Sequence, residues 1–147
     1  MDEVDALCEC GVDIIAIDAT DRVRPGGLTL TEFFTRVRKK YPSQLFMADT
    51  SCFEEGKTAE KLGFDIVGTT LSGYTPYTVG TVLPDMTLMK RYVDELSVPI
   101  IAEGGIWTPQ QLSAVMKLSV HAAVVGTAIT RPMEITKRFV NAIKTEE

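Results

Sequence analysis

The sequence predicts a parallel α/β fold, and two observations support this prediction. Short apolar segments recur along the chain and end in a carboxylate, a hydroxyl or a glycine, and segments with helical spacing of apolar residues lie between them. The clearest apolar segment, residues 98–103, ends in Glu103 and is followed by Gly104 and Gly105. Continuous apolar strands are typical of parallel sheets covered on both faces, where the carboxyl ends of the strands carry the chemistry.

Five segments are predicted to be strands. They cover residues 13–18, 44–49, 65–70, 98–103 and 121–127. Their polar or glycine ends lie at positions 18, 49, 69, 103 and 126, so successive ends are 20 to 34 residues apart. This spacing leaves room for one helix and two loops between strands, as a parallel βαβ crossover requires.

Helices are predicted between these strands. Apolar residues recur at i, i+3, i+4 and i+7 in residues 30–37 and 89–96, and weaker patterns indicate helices at 54–62, 112–116 and 135–143. Thr108 followed by Pro109 is a typical helix start, as is Pro132, and Gly63 is a typical helix end. Residues 1–10 are predicted to form a first helix. The expected order is therefore one helix followed by about five βα units in a single domain, residues 1–147.

The composition and charge of the chain argue against several classes of protein. With 147 residues, 45% hydrophobic and 24% charged, the chain has the composition of one globular domain. No apolar run approaches the ~20 residues of a membrane-spanning helix, and the acidic first ten residues do not resemble a signal peptide. The net charge of −5 argues against a nucleic-acid partner, which needs a basic face. Cys8, Cys10 and Cys52 lack metal-ligand spacing, so we expect reduced thiols and no metal site.

A phosphate site is predicted where the last two strands end. The predicted ligands are Gly104, Gly105, Gly126, Thr127 and Arg131. Backbone N–H groups, a hydroxyl and a guanidinium bind phosphate well, and in barrels the phosphate commonly lies between the loops after the last two strands. The alternative is a pair of ordinary strand-to-helix turns, the second capped by Thr130.

Several segments together resemble the N-acetylmannosamine-6-phosphate 2-epimerase family. The resemblance spans nearly the whole chain in order and is carried by residues 17–20, 47–51, 62–75, 101–104 and 125–132. It implies a (β/α)8 TIM barrel of the ribulose-phosphate-binding type, a cytoplasmic isomerase of amino-sugar and sialic-acid catabolism, and no metal or organic cofactor. The implied reaction interconverts N-acetylmannosamine 6-phosphate and N-acetylglucosamine 6-phosphate by inverting C2.

The chain resembles only the later part of that family. A complete barrel typically needs ~250 residues, whereas the five units predicted here correspond to strands 4–8. The family's strand-3 lysine, to which proton transfer is attributed, has no counterpart in this sequence. We therefore expect a missing N-terminal segment or a homo-oligomer, and the sequence leaves open whether the chain is a fragment or a truncated gene product.

The resemblance also implies roles for individual side chains. Glu103 matches the family's acid/base carboxylate, and Asp49 matches a residue that orients sugar hydroxyls. Asp18 is a second candidate for this orienting role, although a carboxylate there is equally suited to binding its own loop. Thr69 and Tyr74 complete the predicted sugar contacts, with local packing as the alternative for Tyr74.

Three arginines receive different interpretations. Arg131 matches the phosphate-side arginine of the family, and its alternative is an ion pair with Glu134. Arg22 and Arg24 are interpreted as solvated loop charges.

Two further functions stay open. Another phosphate-binding barrel enzyme, such as an aldolase or a decarboxylase, would use the same anchor, but no predicted strand ends in the lysine that a Schiff-base aldolase needs. A catalytically silent half-barrel that binds a sugar phosphate is the alternative from outside the enzymes.

Overall fold

A computed structural model describes residues 1–144 as a five-stranded sheet with helices packed against it. The last three residues of the predicted domain 1–147 lie outside the described residues. The strands are β1 (Ile14–Asp18), β2 (Leu45–Asp49), β3 (Ile66–Gly68), β4 (Ile100–Glu103) and β5 (Ala122–Val124). The helices are α1 (Asp2–Glu9), α2 (Leu30–Lys40), α3 (Phe53–Leu62), α4 (Met86–Glu95), α5 (Pro109–Met116), α6 (Thr127–Thr130) and α7 (Pro132–Lys144). The predicted order of one helix followed by five βα units is confirmed.

The strands follow one another in the sheet as they do in the chain. The order is β1-β2-β3-β4-β5, and each neighbouring pair is parallel. Because parallel crossovers are right-handed, a sheet in chain order carries its crossover helices on one face. This is the arrangement of part of a TIM barrel, with β1 and β5 as open edges.

The face of the sheet toward the helices, here the outer face, forms the core. Its buried residues include Ile15, Phe46, Ala48, Val67, Ile100 and Ala102. The α2 residue Phe34 stacks on Phe64 with ring centroids 3.6 Å apart and meets Phe46 edge-on at 5.4 Å. The chain's own helices therefore cover this face.

The opposite face, here the inner face, is only partly covered. Ile14, Leu45 and Val124 lie on it with 45%, 45% and 40% of their surface exposed. These side chains are exposed because five strands do not close into a barrel. In a closed barrel the inward side chains fill a packed centre, so these exposed residues occupy what would be core positions.

Helix ends follow the predicted signals. Thr108 caps α5, Pro109 is its first residue, and Gly63 ends α3 with a left-handed φ of 89°. Only α6 was not predicted. Its N-cap is Gly126, whose carbonyl accepts from the backbone N–H of Thr130 at 3.0 Å. A four-residue helix is too short to show a periodic pattern in the sequence.

Candidate active site

Three carboxylates end strands on the inner face of the sheet. Asp18 ends β1, Asp49 ends β2 and Glu103 ends β4. Asp18 and Asp49 are register partners, so their side chains leave the sheet on the same side. Glu103 follows the buried outer-face residue Ala102, which places it on the inner face as well. Negative charge is therefore concentrated at this edge of the sheet.

Thr70 lies between two of these carboxylates. Its hydroxyl oxygen is 2.7 Å from Asp49 Oδ1 and 3.0 Å from Glu103 Oε2. The register explains both contacts, since Gly68 pairs with Asp49 on one side and with Ile101 on the other, which brings Thr70 level with Glu103. Gly68 also leaves the space free, because a Cβ there would lie 3.1 Å from the Thr70 hydroxyl oxygen.

Thr69, which was predicted to contact the sugar, forms hydrogen bonds with the backbone of β4. Its side chain is fully buried. Its hydroxyl donates to the backbone carbonyl of Glu103 at 2.8 Å and accepts from the backbone N–H of the same residue at 3.0 Å. Thr70, which the sequence analysis did not single out, is the threonine beside the carboxylates. Two adjacent hydroxyls do not reveal which one faces inward until the register is known.

Asp18 binds its own loop. One carboxylate oxygen accepts from the backbone N–H of Thr20 at 2.8 Å and from its hydroxyl at 2.6 Å, and the other accepts from Arg22 at 3.2 Å. The Arg24 side chain is only 10% exposed, lies 3.7 Å from the same carboxylate and donates to the Thr20 carbonyl at 2.7 Å. The interpretation of Arg24 as a solvated charge is therefore wrong, because its guanidinium satisfies loop carbonyls that would otherwise lack a donor.

The surroundings of Asp49 favour its protonated form. Burial raises the pKa of this carboxyl, and the negative charges of Glu103 and Asp18 raise it further, whereas the hydrogen bond with Thr70 lowers it. The net direction is upward. Asp49 is therefore harder to ionise than a carboxyl group in water.

A cleft of about 480 Å³ opens beside Glu103, at the ends of β3, β4 and β5. It brings together these predicted site residues: Tyr74, Glu103, Gly104, Gly105, Gly126, Thr127 and Arg131. Thr70 also lines it, whereas Asp18, Asp49 and Thr69 are not part of the lining. Clefts of this size bind small molecules.

The turn after β4 has a backbone that requires glycine. Gly104 and Gly105 have φ values of 100° and 70°, which side chains rarely allow. A Cβ on Gly105 would in addition overlap Leu83. The turn therefore keeps its backbone close to the cleft with no side chain in between.

Arg131 lies between α6 and α7 at the mouth of the cleft, and its side chain is exposed. Glu134, the alternative partner considered for it, forms an ion pair with Lys137 at 2.9 Å. The Thr130 hydroxyl donates to the Gly126 carbonyl at 3.1 Å, so it acts within α6 and does not cap α7. Arg131 thus lines the cleft, and Glu134 has Lys137 as its ion-pair partner.

A second cluster ties together the loops after β1, β2 and β3. The Glu55 carboxylate, in a residue only 7% exposed, accepts from the Ser51 backbone N–H at 2.6 Å and the Ser51 hydroxyl at 2.8 Å. It also accepts from the backbone N–H groups of Cys52 and Asp21, each at 3.2 Å, and from the Tyr77 hydroxyl. The sequence analysis missed Glu55, although a glutamate three residues after a helix N-cap is a recognised capping signal.

The described residues contain neither a membrane-spanning helix nor a cluster of metal-binding side chains. No helix between residues 1 and 144 has both the length and the apolar character needed to cross a membrane. In the same range, no group of three or more His, Cys, Asp or Glu side chains is arranged to hold a metal ion.

Sequence comparison assigns nearly the whole chain to one family. The NanE family model, described as "Putative N-acetylmannosamine-6-phosphate epimerase", matches residues 1–145. A "Putative N-acetylmannosamine-6-phosphate 2-epimerase" from Caldanaerobacter subterraneus subsp. tengcongensis is 56% identical over 144 residues, which cover 98% of this chain and 61% of the relative. A protein of the same name from Listeria welshimeri is 49% identical over 144 residues, or 97% of this chain and 61% of that relative. The chain thus spans about 61% of the length of these curated relatives.

Comparison of structures agrees with this assignment. The N-acetylmannosamine-6-phosphate 2-epimerase from Clostridium perfringens matches with a TM-score of 0.86 and 46% identity, over 95% of this chain and 60% of that one. A thiamine phosphate pyrophosphorylase from Pyrococcus furiosus matches with a TM-score of 0.64 and 21% identity, over 86% and 55% of the two chains, which shows a shared fold alone. The predicted TIM-barrel-type fold is confirmed. With the family model, the relatives and the fold in agreement, this chain belongs to the NanE family of N-acetylmannosamine-6-phosphate epimerases.

Proposed function

We propose that this chain supplies the phosphate site and an acid/base carboxylate of an isomerase that interconverts N-acetylmannosamine 6-phosphate and N-acetylglucosamine 6-phosphate. The observation that supports this most strongly is the 480 Å³ cleft that holds Glu103 at the end of β4 together with two glycine turns and Arg131. Family membership supports the choice of an amino-sugar 6-phosphate as the ligand. The same membership supports a cytoplasmic role in amino-sugar and sialic-acid catabolism.

The reaction requires a proton to leave C2 and another to return on the opposite face. In the open-chain sugar C2 lies beside the C1 carbonyl, so removal of its proton produces an enolate that needs hydrogen-bond donors. Glu103 suits the acid/base role because it is half-buried, lines the cleft and is held in place as the last residue of β4. Asp49, linked to Glu103 through Thr70, orients sugar hydroxyls. Proton transfer alone leaves the oxidation level of the sugar unchanged, so we propose a reaction without a cofactor.

The phosphate is proposed to bind in the same cleft, at the turns that follow β4 and β5. Its ligands are Gly104, Gly105, Gly126, Thr127 and Arg131. The glycine turns offer backbone N–H groups without obstruction, and the Arg131 guanidinium can form paired charge-assisted hydrogen bonds with phosphate oxygens. Tyr74, exposed at the rim, covers the sugar.

We also propose that residues 1–147 are one part of a single barrel domain, corresponding to strands 4–8. The exposed inner-face residues Ile14, Leu45 and Val124 support this, because they occupy positions that a closed barrel buries. The missing strands would come from an N-terminal segment or be replaced by pairing with a second copy. The family's strand-3 lysine, as the second proton-transfer group, would come with such a segment.

The test is to complete the barrel. The part of the Caldanaerobacter relative that this chain does not match is fused ahead of Met1, and epimerase turnover is measured with both 6-phosphates. Light scattering on the fusion and on residues 1–147 gives their oligomeric states. We expect turnover by a well-behaved fusion, and weak or no turnover by residues 1–147 together with self-association through the inner face. A monomer of residues 1–147 with full turnover would contradict the need for further strands.

A catalytically silent sugar-phosphate binder is the second candidate. It is supported by the strand ends themselves, since none of β1 to β5 ends in a lysine. In the same experiment, a fusion that binds the 6-phosphates without interconverting them would favour this candidate. Turnover of a different phosphorylated substrate would favour another phosphate-binding barrel enzyme.

A further inference from the structure

We propose that Asp49, Thr70 and Glu103 hold a single proton in common, so that one carboxyl group is an acid while the other is a base. In this unit Thr70 is a positioning residue that links the two carboxyl groups. The shared proton is inferred from the contacts of these side chains, and only its role in catalysis rests on the proposed function.

The Thr70 hydroxyl has fewer protons than the two carboxylates beside it would require. The Thr70 hydroxyl oxygen lies within 3.0 Å of one oxygen of each carboxyl group, but a hydroxyl has only one proton to donate. If both Asp49 and Glu103 were ionised, one of the two contacts would bring oxygens together with no proton between them. A proton on either carboxyl group removes this conflict, because that group then donates to Thr70 while Thr70 donates to the other.

The surroundings support Asp49 as the usual holder of this proton. Burial raises the pKa of the Asp49 carboxyl, and the negative charges of Glu103 and Asp18 raise it further. The other charged groups around the unit are Arg22 and Arg24 on the β1 side and Arg131 and Glu134 on the α6–α7 side. Both β1-side arginines pair with Asp18, and Glu134 pairs with Lys137. Arg131 lines the same cleft as Glu103.

A shared proton suits a reaction that runs in both directions. With the proton on Asp49, Thr70 donates to Glu103, which is then a carboxylate able to accept the C2 proton. When the Asp49 proton moves to the Thr70 oxygen and the Thr70 proton moves to Glu103, one O–H bond breaks and one forms at each step. The total charge is unchanged, and Glu103 becomes the acid. The same three side chains thus provide both forms of Glu103.

The decisive experiment follows the two carboxyl groups directly. Residues 1–147 are labelled with ¹³C at the aspartate and glutamate carboxyl carbons, and their NMR signals are followed as a function of pH. Asp49→Asn and Glu103→Gln assign the two signals. We expect both signals in the wild-type chain to respond at two midpoints separated by more than about one pH unit, as coupled groups do.

Thr70→Val and Thr70→Ser are the matched variants. Valine removes the hydroxyl while keeping the branched shape, so each carboxyl signal should then report its own midpoint only. Serine restores the hydroxyl and should restore two midpoints in both signals. Wild-type signals that each show one midpoint near the ordinary value of about 4 would overturn the proposal. A Thr70→Val variant that titrates like the wild type would do the same.

If the valine variant fails to fold, Asp49→Asn answers the question, because Glu103 must then show a single midpoint while the serine variant still shows two.

None of these readouts depends on turnover. A shared proton in a barrel without epimerase activity would refute the proposed function alone. Activity in the completed barrel with independent titrations would refute this inference alone. In an active barrel, Thr70→Val should lower kcat at least tenfold with little change in KM and alter the pH profile, and serine should restore both.

Discussion

The two faces of the sheet are built from the same five strands but differ in how far their side chains are buried. Phe46 on the outer face is fully buried beneath α2, while its neighbour Leu45 on the inner face is 45% exposed. Both are large apolar residues in one apolar segment. The comparison shows that the chain's own helices complete the core on the outer face, whereas the described residues leave the inner face partly exposed. In the proposed barrel, further strands would cover that face.

The largest expected difference between the two faces comes from shortening Phe46 and Leu45 in separate variants. Phe46→Ala removes a buried ring that touches Phe34, so we expect the free energy of unfolding to fall by about 3 to 5 kcal/mol. Leu45→Ala is the matched control and should cost less than about 1 kcal/mol in residues 1–147, because its side chain is already half in water. Urea unfolding of both variants measures the difference, and equal losses would contradict the assignment of the faces.

The inner face also carries the proposed chemistry. Glu103→Gln keeps the shape of the side chain and removes its acid/base function, so kcat of the completed barrel should fall by about 10²- to 10⁴-fold. The fold and the affinity for phosphate should survive. Glu134→Gln, in the same cleft but paired with Lys137, is the control and should leave kcat nearly unchanged. Comparable losses of kcat in both variants would contradict the acid/base role of Glu103.

Arg131 tests the phosphate end of the cleft. Arg131→Ala in the completed barrel should weaken binding of the phosphorylated sugar by about 1.5 to 3 kcal/mol, the range for hydrogen bonds to a charged group. Lys137→Ala removes a positive charge of the same surface without lining the cleft, and should change binding little. The measurement is KM and inhibition by inorganic phosphate; an unchanged KM for Arg131→Ala would exclude this arginine from the site.

The smallest expected effect is the pH dependence of stability that Asp49 imposes. Its pKa is raised in the folded chain, so folding favours the protonated form: this contribution is fully present below the unfolded pKa of about 4 and is lost as pH rises through the folded pKa. Asp49→Asn carries no such ionisation. Its free energy of unfolding relative to the wild type should therefore increase from pH 4 to pH 7, as measured by urea unfolding at several pH values. A difference that is constant with pH, or that shrinks, would contradict the raised pKa.

Local chemistry determined the elements of this fold. The apolar segments, the start of α5 at Thr108 and Pro109, and the end of α3 at Gly63 all depend on residues close together in the chain. The placement of polar residues at strand ends was predictable for the same reason. In a parallel sheet those ends meet at one edge. The sequence alone therefore predicted that Glu103, the glycine turns and Arg131 lie together, as they do in the cleft.

Tertiary structure decided what depends on register and on contacts between distant segments. Whether Thr69 or Thr70 faces the carboxylates is set by the pairing of β3 with β4, and a shift of one residue would exchange their roles. The burial of Arg24 against Asp18 and the donors gathered by Glu55 come from loops that meet only after the sheet has formed. The exposure of Leu45 has the same origin. An apolar strand specifies that it must be covered, but only the closure of the sheet decides whether anything covers it.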